Sequence, residues 1–246
     1  GDYFKREQIA WMYEFLTKEV GLAPERIFIT CFRGNTDLHI PKDEEAAGLW
    51  QAQFGKDGIR ADIADFPEKF GMQGARIFYY DEKKNWWSRG GVPGNMPVGE
   101  PGGPDTEMFW DFAPARGDGH LPDADVNQFG KFCHVNCDCG RFMEIGNNVF
   151  MEYVKTDRGF EFLPQKNVDF GGGLERMAAA RMDTPDVFLI DLFASQRDVI
   201  ARVSGKVYGE NSAHTRAYRV ILDHIRASTF LIADGALPGN KDQGYF

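Results

Sequence analysis

Three consecutive glycines at positions 171–173 separate an extended run from a helix-forming run over residues 174–180. Glycine tolerates positive φ angles and lets the backbone pass close to another group. A helix that starts directly afterwards presents free N–H groups and the positive end of its dipole, which suit an anion such as phosphate. Asp169 precedes the glycines and Arg176 follows them. The pattern predicts a strand, a tight turn and a helix, with one carboxylate and one guanidinium beside the turn.

Two common nucleotide-binding motifs are excluded at this turn. The P-loop pattern G-x-x-x-x-G-K-[ST] is absent, and G-x-G-x-x-G does not fit residues 171–176. A nicotinamide-dependent oxidoreductase would also need a strand before that fingerprint and an acid about twenty residues further on. An ordinary turn, with Glu175 and Arg176 on a solvated helix face, stays an alternative at this point.

The charge distribution argues against a general nucleic-acid-binding surface. The chain of 246 residues has a net charge of −9, and residues 201–246 hold six lysines and arginines against four acids, so residues 1–200 carry −11. Because a nucleic-acid-binding face is normally basic, only a local patch in the C-terminal part is expected.

Composition also bounds the cellular setting. No apolar run is long enough for a transmembrane helix, and the first residues do not have the pattern of a signal peptide. Four cysteines do not make a disulfide framework in this length, so we expect a cytoplasmic protein without a membrane partner. Since position 1 is not Met and the chain stops just after a turn, we also expect a piece of a longer protein.

Hydrophobic periodicity predicts a mixed α and β region followed by a helical one. The predicted helices of the first region cover residues 5–20 and 43–54, the second with Asp43 as N-cap. The predicted strands cover residues 26–31, 76–80, 107–112, 141–154 and 161–164, the last two as a hairpin. The Gly- and Pro-rich residues 90–103 are expected to be irregular, and residues 187–207 and 212–233 to be helices. We therefore expect an α+β domain over residues 1–183 and a helical segment over residues 184–246.

Polar residues interrupt the longest predicted strand. Glu144, Asn147 and Asn148 lie within an otherwise apolar run. A buried asparagine has to be hydrogen-bonded. Either neighbouring residues or a ligand would satisfy it, and both possibilities stay open.

A cysteine cluster has partial metal-site character. Cys133, Cys137 and Cys139 with His134, or with His120, would supply four ligands of the types that zinc prefers. Structural zinc usually takes two separated ligand pairs, and no second pair is near, so ordinary cysteines are the alternative.

Six stretches, taken together and in this order, resemble the alanyl-tRNA synthetases, a class II aminoacyl-tRNA synthetase family. They are G-D-Y-F-K at 1–5, N-W-W-S at 85–88, G-G-P-D-T-E-M-F-W-D at 102–111, C-G-R-F-M-E-I-G-N-N-V-F-M at 139–151, V-D-F-G-G-G-L-E-R-M-A-A at 168–179 and D-H-I-R-A-S-T-F-L-I-A-D-G at 223–235. Each stretch is weak by itself, whereas six in sequence are specific.

The resemblance implies a class II antiparallel sheet flanked by helices, followed by the start of a helical tRNA-recognition domain. It also implies that ATP, with Mg²⁺ bound mainly through its phosphates, and L-alanine form alanyl-adenylate, and that the alanyl group then moves to tRNA(Ala) in protein biosynthesis. A zinc site of the family would lie in a downstream domain. The oligomeric state stays open.

The resemblance also assigns roles to individual residues. Asp169 would bind the α-ammonium of alanine, Asn147 would hold the amino acid, Val149 would form a small apolar wall and Trp87 would close the pocket. Arg176 and Asp169 are the catalytic residues of this assignment. Arg176 would balance the phosphate charge. The backbone at Gly171 and Gly173 would approach ATP, and the residues assigned to tRNA binding are Arg226, Asn240 and Asp242.

The sequence departs from the family's pattern at several of these positions. Gly146 stands where relatives carry Trp, Asn148 where they carry an aliphatic residue, and Asp105 where they carry Cys. Phe170 and Gly172 replace Thr and Met. The departures leave a non-catalytic synthetase-like paralogue that binds an amino acid, nucleotide or RNA as the alternative.

The class II motifs that carry the α-phosphate arginine and the first interface would lie upstream of residue 1. We therefore expect that the chain alone cannot form alanyl-adenylate.

Overall fold

The structure is a computed structural model that describes residues 2–245. The chain divides into two compact units, Gly1–Pro185 and Asp186–Phe246. The first unit contains one seven-stranded sheet with its helices, and the second unit is helical. Within the described residues, no helix combines the length and apolarity needed to cross a membrane.

The elements follow one another along the chain with few long gaps. The strands are β1 Ile27–Phe32, β2 Ile63–Asp65, β3 Ile77–Tyr80, β4 Trp86–Ser88, β5 Pro101–Asp111, β6 Phe142–Thr156 and β7 Gly159–Gly172. The α-helices are α1 Lys5–Glu14, α2 Glu44–Lys56, α3 Pro67–Phe70, α4 Val126–Phe129, α5 Leu174–Arg181, α6 Ala194–Ser204 and α7 Ser212–Ala233. The first helix continues as a π-helical turn, Phe15–Glu19, and short 3₁₀ turns lie at Pro24–Arg26, Pro93–Asn95, Pro114–Arg116, Val187–Leu189, Asp191–Phe193 and Asp242–Tyr245.

The sheet confirms the predicted α+β class and adds parallel strands at one side. Its order is β2-β3-β1-β5-β6-β7, with β4 also paired to β5. Strands β1, β4, β5, β6 and β7 are joined by antiparallel pairs, whereas β1–β3 and β3–β2 are parallel. Parallel neighbours need a crossover connection, and α2 lies in the connection between β1 and β3.

Helices α1 and α2 cover one face of the sheet. Ile9 of α1 and Trp50 of α2 are fully buried in the main core with β-strand residues such as Ile29. The side chain of Asp43 accepts a hydrogen bond from the backbone N–H of Ala46 at 3.1 Å, which confirms the predicted N-cap of α2. The two helices therefore do not cover the opposite face of the central strands.

Strand β5 begins earlier than the sequence predicts. Residues 101–103 were expected to be irregular, yet they pair with β4 and β6. A Cβ atom at Gly103 would lie 1.9 Å from the carbonyl oxygen of Phe150, so only glycine lets the two backbones come this close. The glycine in this segment therefore extends the sheet instead of interrupting it.

Strand β7 is also longer than predicted, because it continues from the hairpin through Pro164 to Gly172. Proline lacks the N–H that a ladder requires, and it is tolerated at the edge of a sheet. Strand β7 is the last strand in the order of the sheet. The segment before the glycines is consequently part of the sheet.

The predicted helix over residues 187–207 is wrong in its first third. Two short 3₁₀ turns precede α6, which begins at Ala194. The side chain of Asp186 accepts a hydrogen bond from the N–H of Phe188 at 3.0 Å, and Ile190 is extended with a ψ of 161°. Local capping and this extended residue divide a stretch whose apolar spacing alone looks helical.

Candidate active site

Six residues from three neighbouring strands share the sheet face that α1 and α2 leave free. This set, the central face, consists of Asp105 and Glu107 of β5, Asn147 and Val149 of β6, and Asp169 and Gly171 of β7. Val149, which is buried, lies opposite Asp105 on one side and Asp169 on the other. Directly opposite residues in antiparallel strands have Cβ atoms about 4.5–5.5 Å apart. A small apolar side chain thus lies between two carboxyl groups.

Asn147 lies opposite both Glu107 and Gly171 on the same face. Its side chain hydrogen bonds to Asp105, and this bond lowers the pKa of that carboxyl group. Among the described residues, its buried Oδ1 atom has no hydrogen-bond partner. A Cβ atom at Gly171 would meet nothing within 4 Å, so there is open space on the neighbouring strand. The site therefore contains an unused acceptor beside a place where a ligand can fit.

The two acids of β5 are buried and hold their protons more strongly than usual. Burial raises the pKa of Asp105 to about 7, although a hydrogen bond from Asn85 Nδ2 at 3.0 Å opposes this shift. Burial, followed by the charges of Asp105 and Glu144, raises the pKa of Glu107 to about 8. Thr30 donates a hydrogen bond to Glu107 Oε2 at 3.0 Å. These acids are sensitive to any cation that binds to the central face.

The glycines join β7 to α5 in the predicted order of strand, turn and helix, without using positive φ. None of the glycines at 171–173 is among the described residues with positive φ, and Gly173 caps α5 with a φ of −83°. Crowding is the reason for glycine at two of the three positions. A Cβ atom at Gly173 would lie 2.3 Å from Arg176 Nε, and one at Gly172 would lie 2.7 Å from the ring of Phe170. The glycines thus leave room for an arginine and an aromatic ring.

Arg176 lies at the edge of a cavity of about 450 Å³. Its Nη1 atom donates to Glu144 Oε2 at 2.9 Å, and both side chains are partly exposed. The cavity is lined by Glu107, Glu144, Arg176, Lys83 and Lys84, together with residues of the β5–β6 connection. Cations and acids in one open cavity suit a charged ligand such as a nucleotide with its metal ion.

The ring of Phe170 fills the space that a larger residue at position 146 would take. A Cβ atom at Gly146 would lie 3.1 Å from the ring of Phe170 and 3.0 Å from Met108 Cε. The departures at positions 146 and 170 are therefore in contact with each other.

The predicted pocket residue Trp87 lies on β4, opposite Gly103 of β5. About a third of its surface is exposed, while Trp86 and Ser88 on either side are buried. Asn85 lies at the bend directly before β4, and its side chain is fully buried. Trp87 is thus a partly exposed residue on the short strand that follows Asn85, whose side chain donates to Asp105.

The residues assigned to tRNA lie in the second unit. Arg226 of α7 stacks near Phe193 and Phe230, with distances of 5.7 and 6.0 Å from its guanidinium carbon to the ring centroids. Asn240 is exposed, and Asp242 begins the last 3₁₀ turn with a positive φ of 55°.

The predicted metal ligands lie in the connection between β5 and β6. The structure brings together Cys133, Cys137, Cys139 and His120. His134 was a predicted ligand, and the structure excludes it from this group. Its Nδ1 atom is instead hydrogen-bonded to the hydroxyl group of Tyr80 at 2.8 Å, in a buried position.

Sequence reasoning missed Asp105 and Glu107 as residues of the site. The signal was present, since both acids stand in a run that is otherwise apolar or small. A buried acid is rare unless it is paired or functional. The sequence does not show the register between β5 and β6, which places Asp105 opposite Val149 and Glu107 opposite Asn147.

Comparisons with known proteins agree with the class of site that this geometry describes. A family model described as tRNA synthetases class II (A) matches residues 1–246. The chain is 36% identical over 251 residues to an alanine–tRNA ligase of Treponema denticola, a match that covers 100% of this chain and 36% of that protein.

Two further curated alanine–tRNA ligases match the whole chain. The protein of Borrelia hermsii is 34% identical, with 36% of its length covered, and that of Carboxydothermus hydrogenoformans is 35% identical, with 23% covered. The chain thus spans about a third or less of the length of these curated relatives.

Proposed function

This chain belongs to the family of class II tRNA synthetases (A), and on that premise we propose that it forms the aminoacylation region of an alanine–tRNA ligase. The protein that carries it would activate L-alanine with ATP and transfer the alanyl group to tRNA(Ala). The similarity to curated alanine–tRNA ligases over the whole chain supports this substrate. Activity, substrates and partners are proposed here for the complete protein.

The observation that carries the proposal is the unused acceptor on the central face. Asn147 Oδ1 is buried without a partner among the described residues, and Asp169 is on the next strand of the same face. An α-ammonium group has three N–H donors and a positive charge, so it satisfies an amide oxygen and a carboxylate together. Val149 then faces the methyl group of alanine, which needs only a small apolar contact.

The first chemical step needs no nucleophile from the protein. An oxygen of the alanine carboxylate attacks the α-phosphorus of ATP, and the bond to the β-phosphate oxygen breaks, releasing pyrophosphate. In the second step a ribose hydroxyl group at the 3′ end of tRNA attacks the alanyl carbonyl carbon and AMP leaves. The protein's task is to position the reactants and to stabilise the charge that develops.

Arg176 is the proposed source of that charge stabilisation. Its guanidinium pairs with Glu144, and its side chain lies over Gly173, where the absence of a Cβ atom leaves room for it. The side chain is still partly exposed. A phosphate oxygen at the cavity would replace or share the carboxylate as its partner. Mg²⁺ carried by ATP would neutralise phosphate charge there, and Glu107 and Glu144 offer the oxygen ligands that this ion prefers.

We assign tRNA recognition to residues 184–246, with Arg226, Asn240 and Asp242 as contacts. Residues 201–246 within this part have a net charge of +2, whereas residues 1–200 carry −11, which favours the C-terminal part for contacts with phosphate groups. Asp242 fits a base or hydroxyl donor and not a phosphate group. Cytoplasmic location follows from the proposed role in protein biosynthesis.

The proposal is tested on the complete protein by alanine-dependent exchange of pyrophosphate into ATP. Asn147→Ala and Asp169→Asn should each raise the KM for alanine roughly 10- to 100-fold, because the first removes a hydrogen bond to the ammonium group and the second removes the opposing charge. Asp157→Asn, an exposed change at the turn of the same hairpin, should leave that KM unchanged.

An unaltered KM for alanine in both site variants would contradict the ammonium assignment. If the unmodified protein binds alanine or ATP in calorimetry but catalyses no exchange, the non-catalytic paralogue is the correct function.

A further inference from the structure

Four potential metal ligands converge in the connection between β5 and β6. The Sγ atom of Cys133 lies 3.7 Å from that of Cys137 and 3.8 Å from that of Cys139. Cys137 Sγ lies 3.8 Å from His120 Nδ1. All four ligand atoms are within 4.8 Å of one another. The cluster is separate from the central face.

The three shortest of these separations, 3.7 to 3.8 Å, match the edges of a zinc tetrahedron. With Zn–S bonds of about 2.3 Å and a Zn–N bond of about 2.0–2.1 Å, tetrahedral angles place two sulfurs about 3.8 Å apart and a sulfur and a nitrogen about 3.6 Å apart. A disulfide would require sulfurs at about 2.05 Å. The spacing is therefore that of ligands around one ion and not that of an oxidised pair.

The histidine of the cluster is oriented as a metal ligand. While Nδ1 of His120 faces the sulfurs, its Nε2 lies 3.0 Å from the carbonyl oxygen of Gly130. A proton on Nε2 donates to that carbonyl group and leaves the Nδ1 lone pair directed at the cluster. Metal-bound histidines commonly use their second nitrogen in this way, which fixes both tautomer and ring orientation.

We propose that Cys133, Cys137, Cys139 and His120 bind one structural zinc ion. Three thiolates and one imidazole form a closed tetrahedral set, which is typical of a structural site and leaves no position for a substrate. The set consists of a compact C-x₃-C-x-C segment and a histidine from earlier in the same connection. The sequence shows no second pair of ligands next to the cysteines. The fourth ligand, His120, lies 13 residues before Cys133, and the folded connection brings it to the sulfurs.

The ion would fix one wall of the cavity beside Arg176. Val135, Asn136 and Asp138 lie between or beside the proposed ligands and line that cavity. The base of the connection is already fixed, since Arg141 pairs with Asp111 through two hydrogen bonds of 3.0 and 2.7 Å. Zinc would extend this order from the base of the connection to its tip.

Zinc content of the protein that carries this chain, purified without chelator and measured by plasma mass spectrometry, tests the proposal. His120→Ala and Cys137→Ser should each lower the content by one zinc per chain. Cys31→Ser, at a buried cysteine outside the cluster, and His134→Ala should retain the full content. His120→Cys should also retain it, because a fourth thiolate completes the same tetrahedron.

Cobalt substitution reports the ligand set independently of the total metal content. The difference spectrum between the unmodified protein and His120→Ala should show thiolate-to-cobalt charge transfer and intense tetrahedral d–d bands. Equal zinc in the unmodified protein and in both ligand variants would overturn the proposal. A disulfide between Cys133 and Cys137 in the protein purified without chelator and under reducing conditions would also overturn it. Loss of zinc in His134→Ala with retention in His120→Ala would refute the assigned fourth ligand.

Discussion

Asp105 and Glu107 retain protons at a pH where exposed carboxyl groups have lost them. Their pKa values of about 7 and about 8 follow chiefly from burial, and for Glu107 also from the nearby charge of Asp105. An ammonium group on the central face would favour the ionised forms. The residues that surround the proposed amino-acid site therefore respond to both ligand and pH.

The raised pKa of Glu107 predicts a loss of stability as the pH rises. An unfolded glutamate ionises near pH 4.3, whereas the folded group ionises at about 8. Between these values the folded state binds more protons than the unfolded state, so the free energy of unfolding falls as the pH rises through this window. Between about pH 5 and pH 8, the free energy of unfolding of Glu107→Gln should fall by roughly 3–4 kcal/mol less than that of the unmodified protein.

Urea unfolding at the two pH values measures this difference. Glu161→Gln, at an exposed residue of β7, serves as the matched control and should keep the pH dependence of the unmodified protein. If Glu107→Gln has that same dependence, Glu107 is not protonated in the folded state.

At the scale of elements, the packing of β6 against β7 depends on one aromatic ring. Phe170 lies over Gly146 and Gly172, and any Cβ atom at either glycine would approach the ring within 3.1 Å. The resemblance described above implies Trp at position 146 and Thr at position 170 in relatives. In this chain the aromatic ring therefore comes from β7, through Phe170, and not from position 146 on β6.

This exchange predicts a favourable coupling between two destabilising changes. Gly146→Trp alone should lower the free energy of unfolding by about 1–3 kcal/mol through overpacking. Phe170→Thr alone should also destabilise, because it uncovers both glycines. The double variant should recover at least about 1 kcal/mol relative to the sum of the single changes.

Urea unfolding of the complete double-mutant cycle measures the coupling. The pair Gly146→Trp with Phe162→Thr gives a control on the same strand, since Phe162 stacks on Tyr153 and not on Gly146. Additive effects in the first cycle would mean that the two positions are independent.

The elements near the glycines show what local sequence could predict. The helix after the glycines, the long strand β6 and the N-cap at Asp43 depend on short-range spacing and were predicted. The sequence allowed two reasons for the glycines, positive φ and close approach, and the structure shows the second, because Arg176 and Phe170 need the space. Side-chain crowding of this kind depends on rotamers that a sequence does not display.

The candidate site shows the same division between local and distant information. Alternation along one strand places Asn147 and Val149 on a common face, and the family resemblance had assigned both to the amino-acid site. Asp105 joins them only through the register between β5 and β6, which are separated by the whole connection that carries the cysteines. The sequence left His134 and His120 as alternatives for the fourth metal ligand. Only the folded loop shows that His120 lies beside Cys137.

On the scale of the whole molecule, the charge is divided unevenly along the chain. Residues 1–200 are strongly acidic, while residues 201–246 have more lysines and arginines than acids. A polyanion such as tRNA is repelled by the first part and tolerated by the second. Binding of tRNA should therefore depend on a small number of cationic contacts.

Arg226→Gln tests this expectation in the complete protein. Removing one phosphate contact should weaken tRNA affinity and reduce the slope of log K against log salt by about 1. Arg158→Gln, at the exposed turn between β6 and β7, should change neither quantity. An unchanged salt slope in Arg226→Gln, measured by filter binding, would exclude a phosphate contact at that residue.

Strand β7 has a further consequence for handling the protein in solution. It presents Asp169 and the glycines, and it is an outer strand within the part of the chain that the structure describes. Outer strands offer backbone donors and acceptors to other molecules, which promotes edge-to-edge aggregation. Pro164 breaks the row of donors, and Lys166 and Asp169 add charge along it. Substitutions that remove the proline or the charges from this strand would raise its sheet propensity but also its tendency to aggregate. The monodispersity of every variant in this strand should therefore be measured.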